Sequence, residues 1–238
     1  MKHVVALSGG KDSTAMALRL AEIEPRDYVY VCTPTGNEPP AMFAHWRKLG
    51  ELLGKPIIPV IGGTLVGLIK AQNALPNWRQ RWCTRKLKIE PYAAWLMNNS
   101  PAISYVGLRA DEEDREGGDY ADVPNVDSDF PMRRWGWGIA DVISYNARRG
   151  VDIPIRSDCM WCFWQRLIEW YELWRDNLSA YLEGEAMEEA TGHTFRSPGR
   201  DTQPVSLRDL RLKFESGWIP KDTRRDPLAG MQCRVCRM

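Results

Sequence analysis

The string Ser8-Gly9-Gly10-Lys11-Asp12-Ser13-Thr14 constrains this chain more than any other stretch. Val4-Val5-Ala6-Leu7 precedes it, a short run rich in strand formers, and Ala15-Met16-Ala17-Leu18-Arg19-Leu20-Ala21-Glu22-Ile23 follows it with helical spacing. A strand, a glycine turn and a helix start together make an anion site. Glycine lets the backbone approach an oxyanion, and the first N–H groups of a helix lack partners of their own and point at it. Ser8 and Ser13 add hydroxyl donors and Lys11 adds a charge. Asp12 would repel a bare phosphate, which suits it instead to a Mg²⁺ ion bridging phosphates. The spacing is not that of the Walker A loop, which needs four residues between its glycine and Gly-Lys.

Strand and helix signals alternate beyond this point. Strands are expected at 27–32, 57–61 and 103–108, and helices at 40–53, 65–71, 90–97 and 139–148. The 40–53 helix opens at Pro39-Pro40, carries Met42, Phe43, Trp46, Leu49 and Leu53 as its apolar stripe, and stops at Gly54. Such alternation predicts an α/β fold with a doubly wound, mostly parallel sheet, and ligands bind beyond the carboxyl ends of such strands. Residues 8–14, 35–38 and 107–109 fall at those ends. The acidic stretch 110–129 reads as a mobile loop over the site or as a solvated surface loop. Trp164, Leu167, Ile168, Tyr171 and Trp174 recur at helical spacing within 163–189, and a short helix is expected at 206–215. Residues 1–150 are expected to form the α/β domain that carries this loop, and 151–238 a helical extension bearing cysteines.

With 32 basic and 31 acidic side chains the net charge is +1, so the whole-chain balance argues for neither nucleic acid nor membrane. No apolar run reaches a membrane span, and the first one ends too early for a signal peptide; a cytoplasmic protein is the expectation. Six cysteines then need a reason other than secretion. Cys159-x-x-Cys162 and Cys233-x-x-Cys236 have the ligand count of a four-thiolate site, and zinc is the simplest occupant. Cys32 reads as core, and His3, His45 and His193 are given no catalytic role. Arg79, Arg81, Arg85, Lys86 and Lys88 crowd around Cys83, where cations suit phosphates and lower a thiol's pKa. Arg109 follows a strand beside Gly107, placed to clamp a phosphate or stack on adenine.

Ser-Gly-Gly-Lys-Asp-Ser resembles the PP-loop of the ATP pyrophosphatases, or adenine nucleotide α-hydrolases. Four further segments extend the resemblance to the phosphoadenosine phosphosulfate (PAPS) reductase-like members. They are Thr35-Gly36-Asn37-Glu38, with Pro34 where the family often has Asp; the Trp82-Cys83-Thr84-Arg85-Lys86-Leu87-Lys88 segment; Gly107 to Arg115; and Trp135 to Tyr145 followed by Cys159-Met160-Trp161-Cys162. The match covers roughly residues 1–175.

The resemblance implies that Ser8, Gly9, Gly10, Lys11, Asp12, Ser13, Gly36, Arg85, Lys86, Gly107, Arg109 and Arg115 bind an adenine nucleotide, ATP with Mg²⁺. Lys11 and Asp12 would act in catalysis. It also implies a [4Fe-4S] cluster on Cys83, Cys159, Cys162 and one tail cysteine, written here as Cys233, with Cys236 left as a catalytic sulfur carrier; Zn²⁺ is the alternative. The implied activity is adenylation of an acceptor with release of pyrophosphate, supporting sulfur transfer. Its partners would be a sulfur donor protein or thiol reductant and a nucleic-acid acceptor. A sulfonucleotide reductase releasing sulfite is the alternative, though the tail around Cys233 and Cys236 lacks the Glu-Cys-Gly-x-His signature of those enzymes. A zinc-stabilised nucleotide-binding module without catalysis is the third reading.

Overall fold

The computed structural model of the chain describes residues 1–113, 115 and 119–222. Five strands form one sheet: β1 (Lys2–Ala6), β2 (Tyr28–Cys32), β3 (Ile57–Pro59), β4 (Ala102–Tyr105) and β5 (Val126–Asp129), in the order β3-β2-β1-β4-β5. Every pairing is parallel, with Val4 opposite both Val29 and Ser104 on the central strand. The chain builds outward from β1 to β3 and then returns to build the other side. This leaves a topological switch between β1 and β4, where the connections diverge and open a crevice.

Strand alternation explains why both faces of the sheet are covered. Neighbours on a strand point to opposite sides, and Val4 and Val5 are both fully buried but belong to different cores. Val5 joins Tyr28, Tyr30 and Tyr105 under α1 (Lys11–Ile23), Leu49 of α2 (Pro40–Leu53) and Val142. Val4 joins Val31, Ala102 and Val126 together with Tyr92 and Leu96. A third core binds α3 (Leu65–Gln72) to Trp161, Trp170, Tyr181, Leu210 and Phe214, so the helical extension shares its interior with residues 65–87 of the α/β part.

A continuous helical stretch joins α4 (Trp82–Thr84), a π-helical turn (Arg85–Ile89) and α5 (Glu90–Asn98). After β5 come α6 (Pro131–Arg134), α7 (Ile139–Arg148), α8 (Leu167–Asp176), α9 (Leu178–Thr191) and α10 (Leu207–Glu215). No helix among the described residues is long and apolar enough to cross a membrane.

Three expectations are corrected. Residues 126–129 are not loop but the edge strand β5, which four residues with acids at 127 and 129 disguise. On α2 the buried face is Met42, His45 and Leu49, while Phe43 is 47% exposed. His45 takes the inward place because its ring bonds Thr14 on α1. On α8 the buried side chains are Ile168, Glu169, Trp170 and Leu173; Leu167, Tyr171 and Trp174 only flank the core. Trp170 turns inward to meet the rings of Tyr181 and Phe195.

Candidate functional site

Past β1 the backbone turns at Gly9, whose φ of +81° lies in the left-handed region. A Cβ there would come within 2.4 Å of Trp46 Nε1, so the position is closed to side chains. Trp46 Nε1 donates to Ser8 O at 3.2 Å and holds the turn from α2. Gly10 caps α1, and Thr14 N makes the helix's first bond to Gly10 O at 3.0 Å. Ser13 Oγ accepts from Gly9 N at 3.1 Å and donates to Gly10 O at 3.2 Å. With that proton committed, Ser8 Oγ is the donor in the 3.0 Å contact between the two serines. Gly107 lies against the same turn: a Cβ on it would stand 3.3 Å from Ser13 N.

The charges at this turn are buried. Lys11 is 1% exposed, Arg109 4% and Asp12 8%. Asp12 sits between the two cations, its Oδ2 2.9 Å from Lys11 Nζ and its Oδ1 3.0 Å from Arg109 NH1. Arg109 also reaches Asp111 at 2.8 Å and Glu112 at 3.4 Å, and Arg115 pairs with Glu112 at 2.8 Å. Ions this deep are tolerated because each faces an opposite charge.

Besides Trp46, two further braces on the loop were not legible in the sequence. Asn146 Nδ2 of α7 donates to Lys11 O at 3.0 Å. His45 Nε2 meets Thr14 Oγ1 at 3.2 Å, and burial pushes its imidazole pKa below the usual value, so the ring stands neutral. An Asn inside a predicted helix carries no signal for such a role, and neither does a lone histidine on an apolar helix face.

At the end of β2, Glu38 Oε1 accepts from Thr35 N at 2.8 Å and Thr35 Oγ1 at 2.7 Å, around Gly36 with its φ of +74°. Asn37 reaches across to the cysteine pair, its O accepting from Met160 N at 2.7 Å and its Oδ1 from Trp161 N at 3.0 Å. Thr35 Oγ1 lies 3.1 Å from Cys159 Sγ. Cys83, Cys159 and Cys162 line one pocket with Thr35 and Lys88. Burial pushes all three thiols up, Cys159 to about 11, while Lys88 pulls Cys83 and Cys159 back down.

The pocket therefore gathers all three described candidate ligands, Cys83 joining Cys159 and Cys162 from a distant part of the sequence. Yet no group of three or more His, Cys, Asp or Glu side chains among the described residues is placed to hold a metal ion. Cys233 and Cys236 lie outside the described residues. Arg85 and Lys86, expected on the nucleotide, pair with Glu90 at 3.5 and 3.1 Å.

No protein-family model matches the chain, and no curated protein matches its sequence. Among solved structures it is similar to the phosphoadenylyl-sulfate (PAPS) reductase of Candida auris, determined as a phosphate complex. The TM-score is 0.49 and the identity 14%, over 64% of this chain and 75% of that one. The likeness is one of fold.

Proposed function

We propose that the chain binds Mg-ATP at the β1–α1 turn and adenylates an acceptor, releasing pyrophosphate, in support of sulfur transfer. The carrying observation is the buried trio Lys11, Asp12 and Arg109 at the start of α1, on the topological switch of a parallel sheet. The backbone N–H groups of the first helical turn would cradle the β- and γ-phosphates. Lys11 and Arg109 would neutralise charge on the leaving pyrophosphate, where preorganised donors in a dry site act most strongly. Asp12, relieved of its two cations, would hold Mg²⁺, which supplies further charge compensation there. The acceptor's nucleophile attacks the α-phosphorus, the bond to the bridging oxygen breaks, and AMP moves to the acceptor.

In this reading sulfur chemistry would take place at the thiol pocket, where Thr35 contacts Cys159 from the end of β2. An all-thiolate donor set suits soft metals, an iron–sulfur cluster or zinc alike. The described residues do not by themselves complete a metal site, and no step is routed through one.

The test incubates anaerobically purified chain with α-labelled ATP and Mg²⁺, and separately with PAPS. AMP and pyrophosphate are expected. Sulfite from PAPS would establish the reductase instead. Neither product, with zinc bound, would leave a nucleotide-binding module.

A further inference from the structure

The five cations at 79, 81, 85, 86 and 88 face a single acid, Glu90, within residues 77–90, in a chain whose net charge is only +1. Of this run Lys88 lines the thiol pocket, together with its neighbours Pro76, Cys83 and Thr84 and with Phe163. Aromatic rings stand among the charges. Trp78 is 40% exposed and carries the Arg79 guanidinium over its ring at 4.8 Å. Arg200 lies over the half-buried Trp164 at 4.8 Å and donates to the backbone O of Phe163, a pocket-lining residue, at 2.7 Å. Trp78 Nε1 reaches Ser197 Oγ at 3.3 Å, and Arg200 N closes the same turn on Ser197 O at 3.1 Å. The two arginine–tryptophan pairs thus belong to one surface.

We infer that this surface binds a single-stranded nucleic acid across the mouth of the thiol pocket, its bases stacking on Trp78 and Trp164 and its phosphates on the surrounding cations. An exposed ring, Trp78, and a partly exposed one, Trp164, interleaved with cations suit a single strand, because every base has a face to stack and every nucleotide a phosphate to neutralise. A duplex hides its base faces and would find only the charge. A nucleoside triphosphate at the β1–α1 turn leaves these rings unused, since Lys11 and Arg109 are its cations. As the identity of the acceptor, the inference rests on the adenylation reading; as a binding surface it stands on its own geometry.

The probes are fluorescein-labelled dT15 and rU15, titrated with the full chain and followed by anisotropy at low and moderate salt. Wild type is expected to bind, with affinity falling steeply as salt rises. Trp78→Ala should weaken binding by roughly 5- to 150-fold and Trp78→Phe should restore most of it. Arg79→Gln should flatten the salt slope by about one unit. Binding of dT15 and rU15 alike means the sugar is not read; preference for either names the strand, and both results support the surface. Failure of both oligomers to bind at low salt, unchanged binding by Trp78→Ala, or equal binding of a 15-base-pair duplex would overturn it. Mg-ATP binding is measured on the same preparations, where Trp78→Ala should match wild type. A chain that binds dT15 but not Mg-ATP sinks the adenylation reading and keeps the surface, and the converse result does the reverse.

Discussion

Asn37 Oδ1 accepts the backbone N–H of Trp161 at 3.0 Å, tying the end of β2 to the turn between Cys159 and Cys162. The bond crosses 124 residues of sequence, and both partners are buried. Asn37 also accepts Met160 N through its own carbonyl, so one residue holds two successive amides of the cysteine turn.

Asn37→Ala should leave Trp161 N without an acceptor inside the protein. A buried donor left unpaired costs about 1–3 kcal/mol, so the melting temperature should fall. The cysteine turn should also loosen, and Cys159 and Cys162 should react faster with a thiol reagent in the native state. Asn37→Asp keeps an acceptor at that place and should retain the wild-type thiol rates. Equal rates in the alanine variant would show that the turn is held by its own packing.

The Asp12 carboxylate balances two cations that are almost wholly buried. Asp12→Asn leaves Lys11 and Arg109 facing each other across a neutral amide, and breaking a buried pair costs about 3–5 kcal/mol. Inorganic pyrophosphate without Mg²⁺ should then stabilise the variant more than the wild type, since the anion replaces the missing charge. Thermal melts with and without pyrophosphate read this directly. An equal shift in both proteins would mean that the anion does not meet these cations.

The glycine turn and the sheet were legible because they depend on local rules. Gly9 needs a positive φ, and the buried runs around Val4 and Val31 need parallel neighbours on both sides. Helix α7 fell on its expected bounds of 139–148. The edge strand β5 was hidden because its exposed face is acidic, and no local rule distinguishes such an edge from a loop. His45, Trp46 and Asn146 were hidden for another reason: each acts through a bond to the loop from a distant helix, which spacing along one chain does not encode. Cys159 and Cys162 were joined by their spacing, whereas Cys83 joined them only through the resemblance, and the pocket the three line is a product of tertiary packing.

Cys159 gives a reactivity prediction. Burial pushes its thiol up to about 11 from the ordinary 9.0, with Glu38 adding to the rise and Lys88 opposing it. Only the thiolate reacts, so at pH 8 the folded protein should alkylate at this position roughly 100-fold more slowly than the chain in urea. Lys88→Met removes the opposing charge and should slow it further. Iodoacetamide labelling followed by mass spectrometry of the Cys159 peptide measures both, and a native rate equal to the unfolded one contradicts the burial argument.

Glu188 of α9 supplies a pH dependence far from the nucleotide turn. Its carboxyl group is buried, accepting from Phe195 N at 2.9 Å and Leu207 N at 2.7 Å, and so joins α9 to the start of α10. Burial outweighs those two bonds and raises its pKa from 4.5 to about 7. The folded state therefore holds this proton more tightly than the unfolded chain. The stabilisation is complete below about pH 4.5 and is lost as the pH rises through about 7, an effect on the order of 3 kcal/mol. Wild type should accordingly lose urea resistance between pH 5 and pH 8. Glu188→Gln keeps an acceptor oxygen but cannot ionise, so its midpoint should change less over the same interval. The difference between the two proteins isolates Glu188 from the other titrating groups, and parallel pH profiles would mean that the carboxyl group titrates as an ordinary exposed one does.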